Sequence, residues 1–165
     1  MSVTVTVMGR AHWDAVRAIF QEGIDGGIAT FETVAPDWTA WDAAHRHDCR
    51  FVALEQGAVV GWAALSSVSQ RPAYAGVAEV SVYVGRARHG QGIGRRLLEA
   101  LVAASEEAGI WMLQAVVFPQ NAVSLAAHRR AGFREVGRRE RVARLRGAWQ
   151  DTLLLERRSP RVGAS

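Results

Sequence analysis

The sequence predicts an α/β domain built on a mixed, largely antiparallel sheet. Apolar residues recur along the chain alternately at strand spacing and at helical spacing, and turn residues separate the segments. The segments follow in the order β-α-α-β-β-β-α-β-α-β-β, which is not the strict alternation of a doubly wound parallel fold. With 165 residues, 49% hydrophobic and 22% charged, the chain has the size and composition of one soluble domain.

The first part of the chain predicts one strand and two helices. Val3–Val7 alternates like a strand, and apolar residues recur at helical spacing from His12 to Glu22. A second helix is expected to run from Asp37, a plausible cap, towards His45. We expect a cluster of glycines to break the first helix and open a loop: Gly23, Gly26 and Gly27.

A hairpin and a further strand are predicted next. The apolar runs Phe51–Leu54 and Val59–Val68 are separated by the turn Glu55-Gln56-Gly57, which is a hairpin signal. Glu79–Val84 is short and rich in β-branched residues, as strands are. These segments predict three neighbouring antiparallel strands.

The second half of the chain predicts a long amphipathic helix, a strand, a short helix and a closing antiparallel pair. Gly109 is placed to end the long helix with a positive φ. Residues 159–165 are predicted to form a disordered tail after a single domain of residues 1–158. The predicted elements are Ile93–Ala108, Trp111–Phe118, Ala122–Ala131, Arg134–Arg144 and Gln150–Arg157.

Bulk properties exclude several classes of protein. Cys49 is the single cysteine, so there is no intrachain disulfide framework. No apolar run approaches the roughly 20 residues that span a bilayer, and the N-terminal residues lack the pattern of a signal peptide. We therefore expect a cytoplasmic protein without a membrane partner. All 20 basic residues are Arg, and eleven lie between Arg129 and Arg161; acidic residues interrupt that stretch, so a solvated face is favoured over a nucleic-acid site.

The most informative motif is the glycine-rich turn His89-Gly90-Gln91-Gly92-Ile93-Gly94, which joins a strand to a helix. Such a turn aims unpaired backbone N–H groups and the positive end of the helix dipole at one point, which suits a phosphate. A Walker loop is excluded because the chain contains no Lys. A dinucleotide-binding loop is excluded because this turn follows several antiparallel strands rather than the first strand of a βαβ unit.

The turn resembles the pyrophosphate loop of the GCN5-related N-acetyltransferases, the GNAT superfamily, whose signature is Gln/Arg-x-x-Gly-x-Gly/Ala. His89 occupies the usual Gln/Arg position. The resemblance implies a GNAT fold, acetyl-CoA as co-substrate and no metal. The residues that it assigns to acetyl-CoA are Val82, Tyr83, Val84, Gly90, Gln91, Gly92, Ile93, Gly94, Arg95, Asn121, Ser124 and Arg130.

Further segments are similar to the phosphinothricin and methionine sulfoximine acetyltransferases within that superfamily. Pro119–Phe133 resembles the subgroup's stretch in which His128 is a candidate acid for the departing thiolate. Glu79–Val84 resembles its Glu-x-Ser-Val-Tyr-Val strand, whose Glu is the proposed general base that deprotonates the attacking amine, and Glu79 matches that position. The residues implied to contact an acidic amino-acid-like substrate are Phe31, Arg71, Tyr74, Glu79 and Ser81.

Several alternatives stay open at this stage. The acceptor could instead be a protein or peptide N-terminus or another small amine, because one fold serves many acceptors. A non-catalytic acyl-CoA-binding protein is a rival from another class, which the joint presence of Glu79, Asn121 and His128 argues against. An Arg-rich C-terminal hairpin that binds nucleic acid would show a steeply salt-dependent affinity. The subgroup resemblance also implies a homodimer.

Overall fold

The computed structural model describes residues 2–165, which form seven strands and four helices joined by short turns. In chain order the elements are β1 (Val3–Val7), α1 (Trp13–Gly26), α2 (Trp38–Ala44), β2 (Phe51–Glu55), β3 (Ala58–Ser67), β4 (Val77–Val84), α3 (Ile93–Glu107), β5 (Met112–Val117), α4 (Ala122–Arg130), β6 (Arg134–Leu145) and β7 (Ala148–Arg158). This is the predicted order of elements. Most predicted bounds agree with the structure to within one or two residues, the clearest exception being the end of α1.

The seven strands form one sheet in the order β1-β2-β3-β4-β5-β7-β6. Every neighbouring pair is antiparallel except β4 and β5, which are parallel. The predicted α/β class with a mixed, largely antiparallel sheet is thus confirmed. β6 is an edge strand, almost fully exposed, and its pairing with β7 shifts register twice.

The β4–β5 pair is the feature that shapes the domain. Only three residue pairs join these strands, and the last of them is Glu79 with Gln114. Beyond it β4 stays paired to β3 as far as Val84, and β5 stays paired to β7 as far as Val117. The two parallel strands therefore part like the arms of a V, and the backbone of each arm faces a gap.

The sheet is covered on both faces. On one face the apolar side of α3 packs on the strands through Leu97, Leu98 and Leu101, all of which are fully buried. On the other face α1 and α2 cover an aromatic cluster that includes Trp41 and Trp62, which are also fully buried. Along each strand, successive side chains point alternately to the α3 face and to the α1–α2 face of the sheet.

Two predicted termini differ from the structure. The glycine cluster does not stop α1 at Gly23: the helix continues to Gly26 and ends at Gly27, whose φ of 76° is left-handed. Ile24, in this last turn, is buried in the aromatic core, and that packing outweighs the cost of a helical glycine. By contrast, α2 begins as predicted, because the Asp37 side chain accepts a hydrogen bond from the backbone N–H of Ala40 at 2.9 Å.

The C-terminal segment, for which the sequence predicts a disordered tail, makes hydrogen bonds in the structure. Ser159 is buried and its hydroxyl donates to the Glu106 carboxylate. The Arg158 guanidinium donates to the carbonyls of Val162 and Gly163, at 2.7 and 2.6 Å. These bonds fold residues 159–163 back onto the domain. Within residues 2–165, no helix is long and apolar enough to cross a membrane.

Candidate active site

A cavity of about 310 Å³ lies where β4 and β5 part. Its walls come from β4, from β5, from α4 and from the α1–α2 loop (residues 27–37). Eight residues that the sequence assigned to catalysis or binding meet there: Phe31, Glu79, Ser81, Val82, Tyr83, Asn121, Ser124 and His128. The structure thus brings the predicted base, the predicted acid and part of the predicted cofactor site into one space.

Glu79 stands at the vertex of the V. Its side chain lies on the same face of β4 as those of Ser81 and Tyr83, towards α1 and the α1–α2 loop. The Glu79 carboxylate Oε1 accepts a hydrogen bond of 2.8 Å from the side-chain amide of Gln114 on β5. A half-buried carboxylate that borders the cavity is suited to take up a proton.

His128 is buried on α4 and its tautomer follows from its contacts. Nδ1 lies 2.7 Å from the carbonyl oxygen of Ser124, which can only accept, so Nδ1 carries the proton. Burial lowers the pKa of His128 below its usual value. The ring is therefore mainly neutral at pH 7 with Nε2 as an acceptor. Donation from Nε2 to a departing thiolate requires the ring to be protonated first.

The α1–α2 loop is tied to the cavity by three contacts. The side-chain amide of Asn121 donates to the Ile28 carbonyl at 3.3 Å. The Phe31 ring meets the ring of Phe118 edge to face at 5.0 Å. The Tyr83 hydroxyl is hydrogen-bonded to Thr30. The loop thus forms one wall of the cavity, and its position depends on side chains from β4 and α4.

The Tyr83 side chain is packed away from the gap. Its ring packs against those of Trp62 and Phe20, with centroid distances of 5.0 and 4.9 Å. Burial raises the pKa of Tyr83 to about 12, so the hydroxyl stays protonated. Gly23 lies directly against this ring. Because the ring faces α1, the backbone of Tyr83 is the part suited to the predicted cofactor contact.

The glycine turn forms a cradle at the start of α3. Gly90 and Gly92 have φ of 79° and 77°, which side chains rarely adopt, and a Cβ at either position would meet open space. Gly92 is the N-cap of α3 and supplies no side-chain cap, so the first-turn N–H groups point outward. Such a geometry suits a phosphate, and the contact with acetyl-CoA stays a prediction.

His89 has a structural explanation. Its Nε2 lies 2.9 Å from the carbonyl oxygen of Val84, the last residue of β4, and must be the protonated nitrogen. The ring therefore ties the glycine turn to the end of the strand. Nearby, Arg95 forms an exposed ion pair with Glu99 at 2.8 Å, so its backbone N–H is the group best suited to the predicted role.

Other predicted residues lie outside the cavity. Arg71 and Tyr74 are exposed beside one another, with the Arg71 guanidinium 5.7 Å from the Tyr74 ring. Arg130 is exposed at the end of α4. Their assignments stay predictions. Cys49 is buried, and burial together with the charge of Asp48 raises the pKa of its thiol to about 11, which argues against an acetyl-cysteine route.

Sequence reasoning missed Gln114, the partner of Glu79. A signal for it exists, because Gln114 is the one polar side chain in the apolar strand Met112–Val117. Its spatial neighbour lies 35 positions earlier in the chain, and only the sheet register relates the two. In residues 2–165 no group of three or more His, Cys, Asp or Glu side chains could hold a metal ion.

Comparison with known proteins gives consistent matches. The family model described as "Acetyltransferase (GNAT) family" matches residues 13–133. A phosphinothricin N-acetyltransferase of Alcaligenes faecalis is 33% identical, over 93% of this chain and 81% of its own length. An L-methionine sulfoximine/L-methionine sulfone acetyltransferase of Pseudomonas paraeruginosa is 28% identical, over 94% of both chains.

A solved structure matches the whole chain. It is a GNAT superfamily phosphinothricin acetyltransferase from Sinorhizobium meliloti, in complex with AcCoA. The TM-score is 0.89 at 28% identity, and the match covers 100% of this chain and 92% of that chain. Sequence and fold therefore agree on one family.

Proposed function

The chain belongs to the acetyltransferase (GNAT) family, and from that premise we propose that it acetylates the amine of a small acidic amino-acid-like compound, such as phosphinothricin or methionine sulfoximine. The observation that carries the proposal is the meeting of Glu79, Asn121 and His128 in one cavity, at the gap between β4 and β5. The names of the relatives support the class of acceptor. A cytoplasmic location and a homodimer are part of the same proposal.

Acetyl-CoA is the proposed donor, and it supplies an acetyl group activated as a thioester. The N–H groups of the turn Gly90–Arg95 would hold its pyrophosphate, since the cradle is open and no side chain caps α3. The unpaired arm of β4, at Val82–Val84, would hold the pantetheine arm through backbone groups. Asn121 and Ser124 border the same gap from α4.

Glu79 is the proposed general base. An amine reaches the site as an ammonium ion, and only the neutral amine has the electron pair that attacks a thioester. The Glu79 carboxylate accepts that proton directly or through one water. A backbone N–H of Val82–Val84 would donate to the acyl oxygen as negative charge develops on it, which is how an oxyanion hole acts.

The proposed role of His128 is proton handling on the opposite wall of the cavity. In its neutral form Nε2 can accept the proton that the attacking nitrogen loses once it has bonded to the acetyl carbon, because Nδ1 is committed to the Ser124 carbonyl. Once protonated, the ring can pass that proton to the departing thiolate. Burial keeps the imidazolium form costly, so the proton is released readily.

A small acceptor is favoured over a peptide. A cavity of about 310 Å³ lies at the lower end of the range for small-molecule sites. The α1–α2 loop closes one side of it through its contacts with Asn121, Phe118 and Tyr83. Arg71 and Tyr74 lie outside the cavity, so their proposed contacts to the acidic groups rest on the family resemblance and on the good pairing of a guanidinium with a carboxylate or phosphinate.

A coenzyme A release assay tests the proposal. The panel contains phosphinothricin, methionine sulfoximine, methionine sulfone, the common amino acids and short peptides. We expect release with the first group and a loss on the order of 10²- to 10⁴-fold in Glu79→Gln. Glu107→Gln, at an exposed position near the end of α3, is the matched control and should keep full activity. Activity on peptides alone would overturn the acceptor class, and full activity of Glu79→Gln would overturn the base.

A further inference from the structure

A row of polar side chains crosses the sheet at the level of Glu79. The register pairs Glu79 with Gln114, Gln114 with Glu156, and Glu156 with Arg134. Residues paired across strands point to the same face, so the row lies on the face that carries the cavity. Three of its four members are ionisable, and the neutral amide of Gln114 stands between two carboxylates.

The contacts along the row fix how each member is used. Arg134 forms an ion pair with Glu156, which satisfies that carboxylate from the outer side of the sheet. Gln114 turns the other way and donates from Nε2 to Oε1 of Glu79 at 2.8 Å. A carboxylate can only accept when ionised, so the amide nitrogen, not its oxygen, must face Glu79.

The position of this bond matters as much as its length. Glu79 and Gln114 form the last residue pair before β4 and β5 part. Gln114 itself is held on both sides, by β4 and by β7. The backbone of Gln114 is therefore fixed at the vertex of the gap, and the hydrogen bond between the two side chains restrains rotation about the χ angles of both.

Resting on the function proposed above, we infer that Gln114 is a positioning residue for the general base. It holds Oε1 of Glu79 and leaves Oε2 as the atom that accepts the amine proton.

The test is a double-mutant cycle with Gln114→Met, which keeps the length of the side chain and removes the donor. In the wild-type background we expect kcat to fall on the order of 10- to 100-fold, the rate equivalent of one charge-assisted hydrogen bond. In the Glu79→Gln background the same change should cost less than about 2-fold, because Gln114 acts only through Glu79. The exposed Gln70→Met is the matched control and should keep the wild-type kcat.

Two further measurements, the KM and the Kd for acetyl-CoA, distinguish a positioning role from a general loss of structure. The KM for acetyl-CoA and its Kd by calorimetry should be unchanged in Gln114→Met, since the glycine turn is untouched. An equal loss in both backgrounds, or a loss carried by acetyl-CoA binding, would overturn the inference while leaving the proposed function intact. A wild-type protein that releases no coenzyme A with any amine in the panel would overturn the proposed function, and the inference with it.

Discussion

Gly23→Ala should destabilise the protein although it replaces a glycine inside a helix. A Cβ at position 23 would lie 2.6 and 2.7 Å from Cδ1 and Cε1 of Tyr83. The Tyr83 ring has no room to retreat because it is stacked on Trp62 and packed against Phe20. Overpacking of this kind costs about 1–3 kcal/mol, whereas the better helix propensity of Ala returns at most about 1 kcal/mol.

Gly26→Ala provides the matched control. Gly26 lies in the same helix, and a Cβ there would have nothing within 4 Å. Both variants gain helix propensity, so the difference between them isolates the contact with Tyr83. We expect the free energy of unfolding from urea denaturation to be about 1–3 kcal/mol lower for Gly23→Ala than for Gly26→Ala, with similar m-values.

The site should respond as well. Tyr83 is bonded to Thr30, so a displaced ring would move the α1–α2 loop and raise the KM for the amine. Equal stability of the two variants would refute the argument that Gly23 is needed to make room for the ring. It would mean that the ring or the helix shifts at no cost.

Two further predictions concern the glycine turn and the buried histidines. Gly92→Ala should raise the KM for acetyl-CoA, because position 92 needs a φ of 77° and lies in the phosphate cradle. Gly57→Ala is the control: its φ of 80° in the β2–β3 turn should cause similar backbone strain and leave this KM unchanged. Burial lowers the pKa of His45 and of His128, so below pH 6.5 the unfolded chain binds more protons than the native protein. The free energy of unfolding should therefore decrease as the pH is lowered. Urea denaturation at pH 7.5 and 5.5 should show this loss of stability, and a His45→Gln/His128→Gln double variant should show less of it. An identical loss in both proteins would contradict the claim that the two buried histidines cause it.

Much of the fold follows from local patterns. Asp37 caps α2, alternating residues form Val3–Val7, and a positive-φ Gly109 follows α3, each as the sequence predicts. The extension of α1 through Gly23 was not predictable, because it depends on the burial of Ile24 among aromatic residues from distant parts of the chain. Propensity describes a residue alone, and here a tertiary contact decides.

The candidate site divides in the same way. The glycine turn could be predicted because its chemistry is local: backbone N–H groups and φ angles within six residues. The hydrogen bond between Glu79 and Gln114 could not be predicted, since it depends on which strands become neighbours and on their register. For the same reason the sequence could not show that Arg71 lies outside the cavity, or that His128 binds its own helix through Nδ1.

The outer strand β6 has a consequence for how the protein behaves in a crowded solution. An edge strand offers unpaired N–H and C=O groups to which any other strand could add. β6 carries five arginines, and its ladder is interrupted twice, with Arg141 at a φ of 49°. The positive charge and the irregular backbone of β6 together disfavour the pairing of another strand with this edge. The arginines near the C-terminus thus guard against aggregation, a role that needs no ligand at all.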